Sequence, residues 1–122
     1  MAIKDKQLIL VQLAEIFGAL QNFQLPDTVK GYGGLGFSDD GTIVSVPMTL
    51  IDAGPFQTYE ALCAGFFLAQ LSIADQSTIL KGWRGNGVRE RLELFLKEGL
   101  PGVVRQIDTD RKVLVHGDLS KC

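Results

Sequence analysis

The stretch from Ala61 to Ile73 is the feature that most constrains the fold, because it is apolar almost throughout. It is shorter than the roughly 20 apolar residues that a membrane-spanning helix needs. A helix that is apolar nearly all round has to be surrounded by protein. We therefore predict a helix that starts after Thr58 as its N-cap, continues through Leu71, and lies at the centre of the core or in a subunit interface.

Further helices are predicted on both sides of this segment. Between Lys4 and Phe23 the apolar residues recur at spacings of three and four, which is typical of an amphipathic helix that ends before Pro26. A third helix begins at Val88, pairs Glu93 with Lys97 on its charged side, and ends before Gly99. A short helix from Pro101 to Ile107 follows.

Two β elements are predicted as well. The runs 35–37 and 42–46 favour strands, and Ser38-Asp39-Asp40-Gly41 between them is typical of a hairpin turn. The run from Arg111 to His116 is strand-like and ends at Gly117-Asp118. The chain of 122 residues has room for one domain, 1–122. We expect a mainly α, α+β fold of three to four helices, a small β-hairpin and one C-terminal strand.

Charge excludes two classes of partner. The 12 Lys and Arg residues and 14 Asp and Glu residues give a net charge of −2, and neither sign collects into a block. Nucleic-acid binding needs a dense set of cations on one surface, so we expect no nucleic acid and no membrane surface as partners. The charged N-terminus does not resemble an export signal, which favours a cytoplasmic protein. Cys63 and Cys122 do not fix the compartment, and a reducing cytosol disfavours a disulfide between them.

One segment has the character of a site. The apolar run 113–115 delivers His116, Gly117 and Asp118 to its end. An Asp in such a place can accept the proton of an attacking hydroxyl in phosphoryl transfer. The alternative is that His116 and Asp118 only form a turn after an edge strand, which is the more frequent meaning of so short a motif.

Other segments give this motif a context. They are Tyr32-Gly33-Gly34-Leu35-Gly36-Phe37, Val46-Pro47-Met48-Thr49-Leu50, Gly54-Pro55-Phe56, the run 82–91 and the run 111–119. Together they resemble fungal members of the aminoglycoside phosphotransferase and choline kinase-like family, in the family's order and from about Lys4 to Ser120. The resemblance implies the first half of the larger, mostly helical lobe of a kinase-like fold.

By this resemblance, Asp118 stands at the catalytic-base position and His116 supports the loop. The family also uses an Asn five residues after the Asp, a later Asp for magnesium, and a preceding small lobe with a phosphate-binding Lys. Residues 1–122 hold none of these. We therefore expect a truncated, partial lobe without phosphotransfer activity of its own. ATP and magnesium are expected as cofactors only if the family's activity survives, and no resident metal is expected.

Two other functions stay open. In the first, the chain is a small-molecule or protein-binding module that acts as a homo-oligomer. Removing half of a bilobal fold would uncover apolar surface, which such a module could use for binding. Alternatively, it is an acid–base enzyme that uses Asp118, with His116 adjacent, on a small molecule without ATP.

Four further groups of residues have weaker functional signals. The glycines from Gly31 to Gly36 lack the Gly-Lys-Ser/Thr ending of a phosphate loop and are better explained by a tight entry into the hairpin. A metal site of His116, Asp118 and Cys122 lacks a fourth ligand. A nucleophile that uses His116 as its base would come from the candidates Ser45, Ser72 and Cys63. Trp83 with Arg84 suggests a cation–π contact, although a lone Trp more often covers the core.

Overall fold

The structure is a computed structural model that describes residues 3–108 and 111–115. The chain divides into two compact units, one formed by 1–26 with 110–122 and the other by 27–109. The described residues are mainly helical and contain one two-stranded antiparallel hairpin, which confirms the predicted α+β class. No helix within these described ranges is long and apolar enough to cross a membrane.

The first unit contains the helix α1, Ile3–Asn22. Its bounds agree with the spacing of apolar residues, and the chain leaves the helix before Pro26, as predicted. Its last turn carries no basic residue of its own. Positive charge near a helix C-terminus is stabilising, because the last carbonyl groups there have no partners within the helix. The end of α1 is therefore a place where a cation from elsewhere in the chain is favoured.

The second unit begins with the predicted hairpin, formed by β1, Gly34–Phe37, and β2, Ile43–Val46. Gly34 pairs with Val46 and Phe37 with Ile43, so the register places the turn at 38–42. The Ser38 hydroxyl donates to the Asp40 carboxylate at 2.5 Å, and the Thr42 amide donates to the same carboxylate. These bonds, that of Ser38 first, lower the pKa of Asp40 to about 2.

Phe56 joins the hairpin to the next helix, α2, Tyr59–Gln76. Its backbone exchanges two 2.7 Å hydrogen bonds with Tyr32, just before β1. Its ring occupies the notch that Gly65 leaves on α2, where a Cβ atom would lie 2.5 Å from the ring. A residue with no side chain is therefore needed at position 65 to let the ring approach the helix.

The start of α2 is capped as predicted, because the Thr58 hydroxyl accepts a hydrogen bond from the Ala61 amide at 3.1 Å. The sequence predicted that α2 would be surrounded by protein, but only one side of the helix is buried. Leu71 is buried, whereas Leu68 and Ile73 are exposed. The core of this unit is small, and it gathers around Leu71 and the likewise buried Leu100.

The third helical region departs from the prediction at Gly99. Helix α3, Val88–Leu94, continues through a π-helical turn, Phe95–Gly99, into α4, Leu100–Val104. Gly99 has right-handed helical torsions and does not end the helix. The wider turn accommodates the Phe95 ring, which lies against Gly99 so closely that a Cβ there would be 2.5 Å from Cδ2. The predicted short helix is thus a continuation of α3, and it ends at Val104 rather than Ile107.

The C-terminal strand is not observed in its described part. Residues 111–115 belong to no strand, and the sheet of the described residues contains β1 and β2 only. A run with high β propensity becomes a strand only when another strand supplies hydrogen-bond partners. Residues 111–115 pair with no described strand, so their β propensity does not decide their structure. His116, the last residue of the predicted strand, lies outside the described residues.

Replacing Gly65 with Ala tests the seat of the Phe56 ring. Alanine favours a helix over glycine by about 1 kcal/mol, but overpacking here costs about 1–3 kcal/mol. We expect Gly65→Ala to lower the free energy of unfolding measured by urea titration. The matched control is Gly102→Ala in α4, where a Cβ meets nothing within 4 Å and a gain in stability is expected. Equal gains from both substitutions would contradict the packing described here.

Candidate functional site

The two residues predicted to carry chemistry, His116 and Asp118, lie outside the described residues. The structure describes the segment that leads to them, 111–115, in which Leu114 is half-buried and Val115 is exposed.

Arg111 attaches this segment to the end of α1. One of its terminal guanidinium nitrogens donates to the carbonyl oxygen of Gln21 at 2.9 Å and to the side-chain oxygen of Asn22 at 3.2 Å. The contact joins positions 90 and 89 residues apart in the sequence. It also supplies the positive charge that the last turn of α1 lacks. Sequence reasoning missed this contact, because no local pattern pairs a helix end with an arginine so far along the chain.

The glycine-rich segment from Gly31 to Gly36 allows close packing of the backbone. Gly31 has a positive φ of 70°, which glycine adopts without strain. A Cβ at Gly33 would lie 2.5 Å from the carbonyl oxygen of Val46, and one at Gly36 would lie 2.7 Å from the Val46 side chain. Gly33 and Gly36 let the chain run close to Val46, the last residue of β2, in agreement with the tight entry into the hairpin that the sequence predicts.

Aromatic and thiol groups meet beside this segment. The rings of Tyr32 and Tyr59 are tilted, with centroids 5.8 Å apart. A hydrogen bond between the Tyr59 and Cys63 side chains raises the pKa of Tyr59. Cys63 is a free thiol, and Cys122, its disulfide alternative, lies outside the described residues.

The candidate nucleophiles have no base beside them in the described ranges. The Ser72 hydroxyl accepts a hydrogen bond from Gln76, and the buried Ser45 hydroxyl has no hydrogen-bond partner. Cys63 contacts Tyr59, and the raised pKa of Tyr59 keeps its phenol protonated near neutral pH, so it does not supply a base. Within residues 3–108 and 111–115, no serine or cysteine forms a nucleophile–base pair.

A charge cluster joins α2 to α3. The carboxylate of Asp75 lies in the last turn of α2 and its side chain is only 14% exposed. It accepts hydrogen bonds from Arg84 at 2.6 Å and from two nitrogens of Arg89 at 2.9 Å, and Arg89 also pairs with Glu93. Hydrogen bonds from the two guanidinium groups, that of Arg84 first, hold the pKa of Asp75 far below its usual range.

This cluster corrects one expectation. Glu93 pairs with Arg89, one turn before it, rather than with the predicted Lys97. Arg84 pairs with Asp75, a partner that the sequence did not predict. The indole Nε1 of Trp83 is buried without a hydrogen-bond partner, which fits a ring that covers the core. The sequence signal for this cluster is an acid at a helix C-terminus, which is unfavourable unless cations offset it.

Residues 3–108 and 111–115 contain no group of three His, Cys, Asp or Glu side chains placed to hold a metal ion. The alternative metal set, His116, Asp118 and Cys122, lies outside these ranges.

Comparison of the chain with models of protein families, with curated proteins and with solved structures finds no match. The resemblance to aminoglycoside phosphotransferases therefore remains a prediction from the sequence segments that carry it.

The Asp75 cluster makes a testable prediction about stability and pH. Asp75→Asn removes the carboxylate that Arg84 and Arg89 share and leaves Arg89 with Glu93 alone, so we expect a lower urea midpoint at pH 7. Because the pKa of Asp75 is lower in the folded chain than its ordinary value of 3.8, the ionised carboxylate stabilises the fold above that value. The difference between wild type and variant should be constant from pH 8 to 5 and shrink as the pH falls below about 4.

The matched control is Glu93→Gln, which removes an exposed carboxylate from the same cluster and leaves Arg89 bound to Asp75. We expect it to lower the midpoint less. A midpoint for Asp75→Asn equal to that of wild type at pH 7 would show that the cluster does not stabilise the connection of α2 to α3.

Proposed function

We propose that residues 1–122 form part of the larger, helical lobe of a phosphotransferase-like protein, with Asp118 at the base position and His116 supporting its loop. The observation that carries this proposal is the ordered series of sequence segments ending in 113–119. The mainly helical α+β fold with one hairpin supports it, because the larger lobe of that family is mostly helical. A cytoplasmic location belongs to the same proposal.

The proposal assigns the 122-residue chain acceptor binding without phosphate transfer of its own. Phosphoryl transfer is accelerated mainly by positioning and by metal ions that neutralise developing charge. Within residues 1–122, Asp118 would be the base, but the resemblance supplies no phosphate-binding Lys and no magnesium ligand. A hydroxyl-bearing cation, such as an amino-alcohol or an aminoglycoside, would still find in Asp118 a carboxylate that accepts its hydrogen bond and attracts its charge.

Calorimetric titration of the purified chain with choline and with an aminoglycoside tests this assignment. A hydrogen bond to a charged group is worth about 1.5–3 kcal/mol, so Asp118→Asn should weaken acceptor binding about tenfold or more. The control Asp27→Asn removes the same charge from an exposed position and should bind like wild type. We expect no sustained phosphorylation of either acceptor with ATP and magnesium.

Three outcomes would contradict the proposal at different points. Identical affinities for wild type and Asp118→Asn would remove Asp118 from the site. The absence of acceptor binding by a folded chain would mean that the resemblance records ancestry only. Sustained phosphorylation that Asp118→Asn abolishes would overturn the statement that the chain alone does not transfer phosphate.

A second candidate function is favoured by exposed apolar surface. Among the described residues, Leu71 and Leu100 are the only buried hydrophobic side chains, whereas Phe37 is 77% and Ile79 91% exposed. Single exposed apolar side chains are normal, but so small a core beside such exposure is typical of a surface that another molecule covers. A module that binds a protein or a second copy of this chain fits this observation.

Light scattering over concentrations from about 5 to 500 μM tests the self-association form of this candidate. We expect a weight-average mass that rises with concentration, because burying exposed apolar side chains favours association. A constant mass of 13.3 kDa, that of one chain, across the range would contradict self-association.

A further inference from the structure

The outer edge of β1 is open in the described part of the chain. The Ser38 amide donates to the Thr42 carbonyl, and the register of the hairpin then turns the hydrogen-bonding groups of every second residue of β1 toward β2. The backbone groups of Leu35 and Phe37 therefore point away from β2. The described sheet has no third strand that would pair with them.

The outer edge of β2 is less suited to a further strand. The Thr28 hydroxyl donates to the Ile43 carbonyl at 2.6 Å. By the same alternation, this carbonyl belongs to the outer edge of β2. A strand that paired there would have to displace Thr28, so β1 is the edge at which the sheet is free to grow.

The side chains of β1 reverse the usual pattern of a half-buried strand. Leu35 is 44% and Phe37 77% exposed, whereas the more buried positions are Gly34 and Gly36. A strand with one solvated face normally turns its apolar side chains to the core. Exposed edges are commonly protected by lysine or proline, and β1 contains neither. An apolar edge without this protection is a template for pairing with another strand.

We infer that β1 pairs with β1 of a second copy of this chain, in the antiparallel direction and with Gly36 at the two-fold axis. In that register Leu35 of each copy lies opposite Phe37 of the other, and each such pair exchanges two backbone hydrogen bonds. Leu35 and Phe37 share one face of the strand, so the four side chains form aliphatic–aromatic pairs across the copies. The inference rests on the second candidate function, and it names the surface through which two copies associate.

Two features of the sequence favour a second copy as the occupant. Gly36 meets its own counterpart at the axis, where Cα atoms approach to about 4.5 Å, and glycine brings no side chain into this close pair. Asp39 and Asp40 follow β1, and antiparallel pairing separates the two acidic turns by about 20 Å, well beyond the screening length of about 8 Å. Parallel pairing would set these like charges side by side, which is unfavourable.

The size of the contact predicts weak association. Each copy contributes one strand of four residues, far less than the roughly 800 Å² per partner of a standard interface. We therefore expect monomer and dimer to exchange, with the dimer growing as the concentration rises.

Amide exchange with solvent, measured by nuclear magnetic resonance of the full chain, locates the contact. The amides of Leu35 and Phe37 should exchange about twofold more slowly at about 500 μM than at about 50 μM, because paired chains withhold them from water. The Gly36 amide points to β2 in either state and is the internal control, so its exchange should change much less. Equal exchange of the Leu35 and Phe37 amides at both concentrations would overturn pairing at β1.

Phe37→Lys tests the same edge by substitution. A lysine there would have to be buried against Leu35 of the second copy, which opposes pairing. Because Phe37 is largely exposed, we expect an unchanged circular dichroism spectrum and a mass of 13.3 kDa at every concentration up to about 500 μM. The matched control Ile79→Lys makes the same change at a side chain that is 91% exposed and outside the sheet, and it should associate like wild type.

The outcomes separate this surface from the second candidate function. Association that persists in Phe37→Lys would overturn pairing at β1 and leave self-association standing. A mass of wild type that stays at one chain would overturn self-association, and the second copy as the occupant of the edge with it. Association of wild type and Ile79→Lys that is lost in Phe37→Lys, with slowed exchange of the Leu35 and Phe37 amides, would support the inference.

Discussion

The seat of Phe56 on α2 is the contact on which the larger unit depends. Two backbone hydrogen bonds to Tyr32 fix the residue against the start of the hairpin, and the missing side chain of Gly65 admits its ring to the helix surface. A two-stranded hairpin is marginal in water when it packs against nothing. Phe56 thus gives β1 and β2 the support that they need, and glycine at 65 is the condition for it.

Ion pairs stabilise the other end of α2. A carboxylate in the last turn of a helix is repelled by the carbonyl groups there, so Asp75 alone would be unfavourable. Arg84 and Arg89 reverse the balance, because both guanidinium groups bind a carboxylate that is largely shielded from water. The ion pairs replace part of the apolar packing that a core centred on Leu71 and Leu100 does not provide.

The parts of the fold that the sequence predicts are those with local causes. The spacing of apolar residues in α1, the Thr58 cap and the 38–42 turn each depend on neighbours within a few residues. The prediction that the helix ends before Gly99 is wrong, because the conformation of Gly99 depends on the Phe95 ring and on the π-helical turn. The Asp75 pairs could not be predicted, because they need the relative placement of two helices, although an acid at a helix end was a usable signal.

The candidate site also combines a local feature that the sequence predicts with a non-local one that it does not predict. Its predicted chemistry depends on three consecutive residues, His116, Gly117 and Asp118, so the sequence alone was enough to suggest it as a hypothesis. Its placement is not local, because a strand needs a partner and residues 111–115 have no place in the sheet. One described contact of this segment, that of Arg111, reaches the carbonyl end of a helix about ninety residues earlier. A carboxylate is useful to a reacting or bound hydroxyl only when its distance is fixed, since small misplacements weaken binding and catalysis steeply. The proposed role of Asp118 therefore requires contacts that fix its position, and a local sequence motif does not show such contacts.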